Sequence, residues 1–145
     1  MTAIQSLTAY QILAAAGLIV ILPVAIYLAM TAKLRESALV AAAISAGFAA
    51  FTAVTIWAEG VMPVIINHTT NLWGVQVWYD LLIAVMIALL FVVPRARKVN
   101  MMVPVWVLFV ASTASIGLLA MVARLFWLEQ RGESAAAASD PAKSS

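Results

Sequence analysis

Few side chains in this sequence can do chemistry, and most of them lie inside or beside long apolar runs. Asp80 and Glu59 are carboxylates that could serve as acids or as binding groups, and Arg124 is a cation that could pair with either. Gln76 precedes Asp80 by four residues, which puts both on one face of a helix. Trp78 and Tyr79 come directly before Asp80, and Asn67, His68 and Asn71 lie just upstream. His68 is the single histidine and cysteine is absent. Thiolate nucleophiles, disulfides and cysteine-ligated metals are therefore excluded. One histidine and two carboxylates at no motif spacing do not make a metal site, and no cofactor is expected. A haem held by two histidines would need a second chain. Ser112 and Ser115 share their apolar run with no histidine that could activate them. No Gly-rich phosphate loop, nucleophile elbow or His-Glu metalloprotease motif occurs. Asn67-His68-Thr69 matches a glycosylation acceptor, which matters only in a eukaryotic secretory pathway.

These groups must be positioned by membrane helices. Of the 145 residues, 66% are hydrophobic and only 10% are charged. A soluble domain is about 45–50% apolar and about 25% charged, so this chain cannot cover a water-facing surface. A soluble enzyme, a disordered chain and a nucleic-acid binder are excluded, and a net charge of +2 does not call for a polyanion. A helix crossing the ~30 Å hydrocarbon core needs about 20 apolar residues. Four charge gaps meet that length and predict an all-α, four-helix transmembrane bundle of up-down topology. Its helices run over about 10–32, 38–59, 75–94 and 101–127, within a single domain 1–130. The first run lacks a basic leader and is too long for a signal peptide, so it reads as a retained helix. Residues 131–145, polar and Ala/Ser-rich, read as a disordered tail.

Basic residues favour the cytoplasmic side of a membrane. Lys33 and Arg35 follow the first run, and Arg95, Arg97 and Lys98 follow the third. The connection 60–74 carries no charged side chain. Both termini and that connection are therefore expected outside the cytoplasm. Tyr10, Trp57, Trp73, Trp78, Tyr79 and Trp127 would then line the outer interface, where amphipathic rings concentrate.

Small residues let membrane helices approach closely. Ala41, Ser45, Ala49, Thr52 and Thr55, ending at Glu59, form such a stripe on the second run. Thr113, Gly117, Ala120 and Arg124 form another on the fourth. At ~1.5 Å per residue, Asp80 would lie roughly 7 Å below the outer boundary, level with Glu59 and Arg124. The expected site is thus an outward-facing polar mouth of Asp80, Gln76, Glu59, Arg124, His68, Asn71, Trp78 and Tyr79. An ionised group within a span costs about 2.5–3.5 kcal/mol, and such residues usually face the bundle interior and pair. The mouth is therefore either a binding site or an Asp80–Arg124 structural pair.

Trp78-Tyr79-Asp80-Leu81-Leu82, Arg95-Ala96-Arg97-Lys98 with Met101, Pro104, Ser115-Ile116-Gly117-Leu118-Leu119 and Leu128-Glu129 carry a resemblance. Over about residues 75–130 the chain resembles a family of small four-helix bacterial integral membrane proteins of unknown function. More remotely it is similar to the integral-membrane terpene cyclases, whose intrahelical acids protonate an epoxide or alkene of a prenyl chain. That similarity implies Asp80 and Glu59 as candidate catalytic acids, in a chain with four helices where the cyclases have about seven.

Three functions fit the sequence. One is a non-enzymatic, multi-pass protein of the bacterial cytoplasmic membrane that binds a lipid-like, apolar or isoprenoid ligand. Another is an accessory or assembly subunit acting through a membrane-protein partner or a homo-oligomer. The third is an acid-catalysed, terpene-cyclase-like enzyme. A proton or ion pathway is disfavoured, because Leu81 to Val93 contains no polar side chain.

Overall fold

A computed structural model describes residues 8–30 and 37–139, and among them every regular element is a helix. The chain divides into two compact units, residues 1–36 and 37–145. In the first unit α1 spans Ala9–Met30. A reciprocal cap starts it: the Thr8 N–H donates to Gln11 Oε1 at 2.8 Å, and the Gln11 N–H donates to Thr8 Oγ1 at 3.4 Å. Lys33 and Arg35, on which part of the expected orientation rests, lie outside the described residues.

The second unit contains α2 (Ala38–Glu59), α3 (Met62–Thr69), α4 (Leu72–Lys98), α5 (Val103–Thr113) and α6 (Ser115–Ser139). Ser37 caps α2 by accepting the Val40 N–H, and Gly60 ends it at φ 80°, a left-handed conformation that glycine adopts without a Cβ penalty. The expected connection 60–74 holds the short helix α3, entered through Pro63 in its first turn. Asn71 then caps α4 by accepting the Gly74 N–H at 2.8 Å. The helix α4 runs past Pro94 to Lys98, and Asn100 turns the chain at φ 57°. Among the described residues three helices, α1, α2 and α4, are long and apolar enough to cross a membrane.

The fourth apolar run departs from expectation. Instead of one helix over 101–127, it forms α5 and α6, broken at Ala114 with φ 48° and ψ −115°. The chain doubles back there. Val103, at the start of α5, shares a buried cluster with Met121 and Leu125 of α6, together with Ala96, Met101 and Val110. A continuous helix would hold Val103 and Glu129 about 39 Å apart. Here Glu129 instead reaches Arg95, close in sequence to the start of α5: Arg95 Nη2 donates to Glu129 Oε2 at 2.6 Å and Arg95 Nε to Oε1 at 3.1 Å. The cause is local. Ser112 and Thr113 both donate their hydroxyls to the Phe109 carbonyl, tying up the last turn of α5. Gly117 then allows the return, because a Cβ there would lie 2.8 Å from the Phe109 carbonyl oxygen and 2.9 Å from Val110 Cα.

The stripe on α2 is its covered face. Ala41 and Ser45 are buried and Ala49, Thr52 and Thr55 half-buried, while Glu59 at its end is exposed. Ser45 Oγ donates to the Ile116 carbonyl at 3.0 Å, next to the α5–α6 turn. That bond gives the buried Ser45 hydroxyl its partner. The Ala/Ser-rich stretch expected as a disordered tail continues α6 as far as Ser139, in keeping with alanine's high helix propensity. Residues 140–145 lie outside the described residues.

Candidate functional site

The helices α3 and α4 meet at Gly74. A Cβ at this position would run into the Asn67 carbonyl, so only glycine lets the first turn of α4 lie against the end of α3. This contact places His68 beside α4: its ring centroid is 5.4 Å from that of Trp78, tilted by 54°. His68 Nδ1 lies 2.6 Å from the Val64 carbonyl oxygen. A carbonyl can only accept, so Nδ1 carries the proton and Nε2 of the neutral ring is left as an acceptor. Thr69 and Thr70 donate their hydroxyls back to the Ile65 and Ile66 carbonyls.

Two grooves result, and Trp73 borders both. One, of about 400 Å³, is lined by Asn67, His68, Thr70, Asn71 and Gly74 with Val77. The other, of about 280 Å³, runs down α4 past Gln76, Val77, Tyr79, Asp80 and Ile83. Spacings of three and four bring Trp73, Gln76 and Asp80 onto one helix face. Asp80 lies eight residues into α4, about 12 Å along its axis. Its carboxylate is exposed and forms no ion pair among the described residues. The grooves therefore offer acceptors (a carboxylate, side-chain amides and an imidazole nitrogen) beside apolar and indole surface. Among the described residues, no three His, Cys, Asp or Glu side chains come together to hold a metal ion.

Of the expected mouth, Gln76, Tyr79 and Asp80 share one groove, His68 and Asn71 share the adjoining one, and Trp78 stands against His68. Glu59, on α2, lines neither. A pair of cooperating acids, Asp80 and Glu59, is therefore not assembled in either groove. Arg124 is displaced furthest. The turn at Ala114 carries it towards the Arg95 end of α4, where its guanidinium carbon stacks 4.3 Å from the Trp127 ring centroid. The alternative of an Asp80–Arg124 pair is not formed. Trp127, expected at the outer interface, lies two residues from the Glu129 that Arg95 holds.

Trp73 is the residue that sequence reasoning left out of the site, having assigned it to the interface alone. Its spacing from Gln76 and Asp80 was the available signal. Gly74 was visible only as a glycine, since its role depends on where α3 folds. Compared with protein-family models, curated proteins and solved structures, the chain matches none. The resemblances drawn from its second half gain no support from these comparisons.

Proposed function

We propose that this chain is a small, non-enzymatic, multi-pass protein of the bacterial cytoplasmic membrane that binds a lipid-like ligand in the paired grooves at the start of α4. The observation that supports this reading most is the position of Trp73, a shared wall with Asp80 and Gln76 on one side and His68 and Asn71 on the other. An amphipathic molecule suits such a surface. Its apolar part lies along Val77 and Ile83, and a hydrogen-bond donor or cation on its head meets Asp80. The carboxylate then gains a partner at a depth where an unpaired charge is costly. Sites of this kind combine apolar walls with a few convergent polar groups.

The test is purification of the full chain in mild detergent, followed by mass spectrometry of everything retained. A lipid or prenyl compound held by the native chain and lost from both Asp80→Asn and Trp73→Leu supports the reading. Retention unchanged in both variants rejects it. A stoichiometric protein in place of a lipid would favour an accessory subunit. That alternative draws on the exposed Leu82, Met86, Leu90 and Phe91 of α4.

A further inference from the structure

We infer that Arg124, Trp127 and Arg131 form a headgroup site for an anionic phospholipid, near the end of α4 opposite the grooves. Both guanidinium groups converge on one indole. The guanidinium carbon of Arg131 is 3.8 Å from the Trp127 ring centroid and that of Arg124 is 4.3 Å from it. Arg124 precedes and Arg131 follows Trp127 by about one helical turn, so the indole gathers two like charges around one ring, an arrangement that an anion reaching both relieves. No carboxylate does so among the described residues. Glu129 is taken by Arg95 in a two-bond fork. Glu133 follows Arg131 by two residues, which turns it about 200° round the helix, nearly the opposite face.

The chemistry called for is a phosphate ester. Its oxygens accept from guanidinium forks, as arginine's planar donors favour. A phospholipid supplies that phosphate at the depth where Trp127 sits, because indole rings settle at the headgroup level. Acyl chains can then run along the exposed apolar surface of α5, where Val105 and Leu108 face outward. Cation–π stacking fixes both guanidinium groups in advance, so part of the ordering cost is met before the lipid arrives.

The full chain, in detergent, is titrated with phosphatidylglycerol and separately with phosphatidylcholine, and bound lipid is counted by native mass spectrometry. Glycerol phosphate is added alone in a third arm. The native chain is expected to retain phosphatidylglycerol in preference to phosphatidylcholine. Arg124→Gln and Arg131→Gln should each weaken that retention about 5-fold, the usual worth of one basic residue at an anionic surface. Trp127→Leu, which keeps every charge, should weaken it as well. Lys98→Gln, which removes a nearby charge outside the cluster, should leave most of it. Both arginines are exposed, so melting temperatures without lipid should match the native chain and show that the variants fold. Equal retention of the two lipids overturns the proposal. So does a Lys98→Gln loss equal to that of Arg124→Gln, which would mean diffuse charge, or binding of glycerol phosphate as tight as that of the lipid, which would mean a site for a free anion.

Discussion

Asp80 stands about 12 Å along α4 with no ion-pair partner among the described residues, and its substitution separates a binding role from a structural one. Breaking a buried ion pair costs roughly 3–5 kcal/mol, but here there is no pair to break. Asp80→Asn is therefore expected not to destabilise the protein, and to relieve part of the cost of an unpaired charge within a span. Thermal unfolding in detergent checks this, and a large loss would mean that Asp80 has a partner in the folded protein. Gly74 should behave in the opposite way. Gly74→Ala forces a methyl against the Asn67 backbone, and overpacking of this kind costs about 1–3 kcal/mol. It should lower the melting temperature and separate His68 from Trp78, seen as a change in tryptophan fluorescence. Asp80, Gln76, His68 and Asn71 were legible as candidates because polar groups are conspicuous in an apolar chain, and each lines one of the two grooves. Their division into two grooves was not legible, since it depends on the fold of 60–74, a stretch with no long periodic run.

The elements repeat this contrast. The stripe of Ala41, Ser45, Ala49, Thr52 and Thr55 identified the covered face of α2 from spacing alone, because small residues in a membrane helix serve close approach. The break in the fourth run was hidden. A single spanning helix and a hairpin of two shorter ones can have the same apolar composition. The hydropathy of 101–127 therefore carries no trace of Ala114. What the sequence does contain is Ser112-Thr113-Ala114-Ser115 followed by Gly117, hydroxyls that bond their own helix and a glycine that admits a neighbour. Ala114 has a positive φ with ψ −115°, a strained conformation worth about 1–3 kcal/mol. Glycine adopts it freely but adds about 0.4–1 kcal/mol of unfolded-chain entropy. Ala114→Gly should thus stabilise the protein by about 1 kcal/mol and Ala114→Val should destabilise it, both read from melting temperature. A continuous helix through this position would give the reverse order, since glycine weakens a helix interior. Gly117→Leu, forced against backbone atoms of α5, should be more damaging than Leu118→Ala.

For the molecule as a whole, the consequence is a separation of chemistry between the two ends of α4. Acceptors and indole surface gather at its start, in the grooves around Asp80, and guanidinium groups gather at its end, around Arg95, Arg124 and Arg131. The sequence placed Arg124 with Asp80 because an unbroken fourth helix carries the chain across the membrane. The Arg95–Glu129 fork, at side-chain exposures of 38% and 23%, instead ties the return of α6 to the close of α4. A double-mutant cycle with Arg95→Gln and Glu129→Gln should give a coupling of about 1 kcal/mol, as expected for a partly exposed pair. Sidedness is the most direct test. The chain has no cysteine, so the single substitutions Val61→Cys, Lys98→Cys and Glu133→Cys each report one position to a membrane-impermeant thiol reagent. In sealed vesicles of one orientation, Lys98→Cys and Glu133→Cys should be labelled from the same side and Val61→Cys only from the other. Labelling of Glu133→Cys together with Val61→Cys would mean that the fourth run crosses the membrane, and would return Arg124 to the level of Asp80.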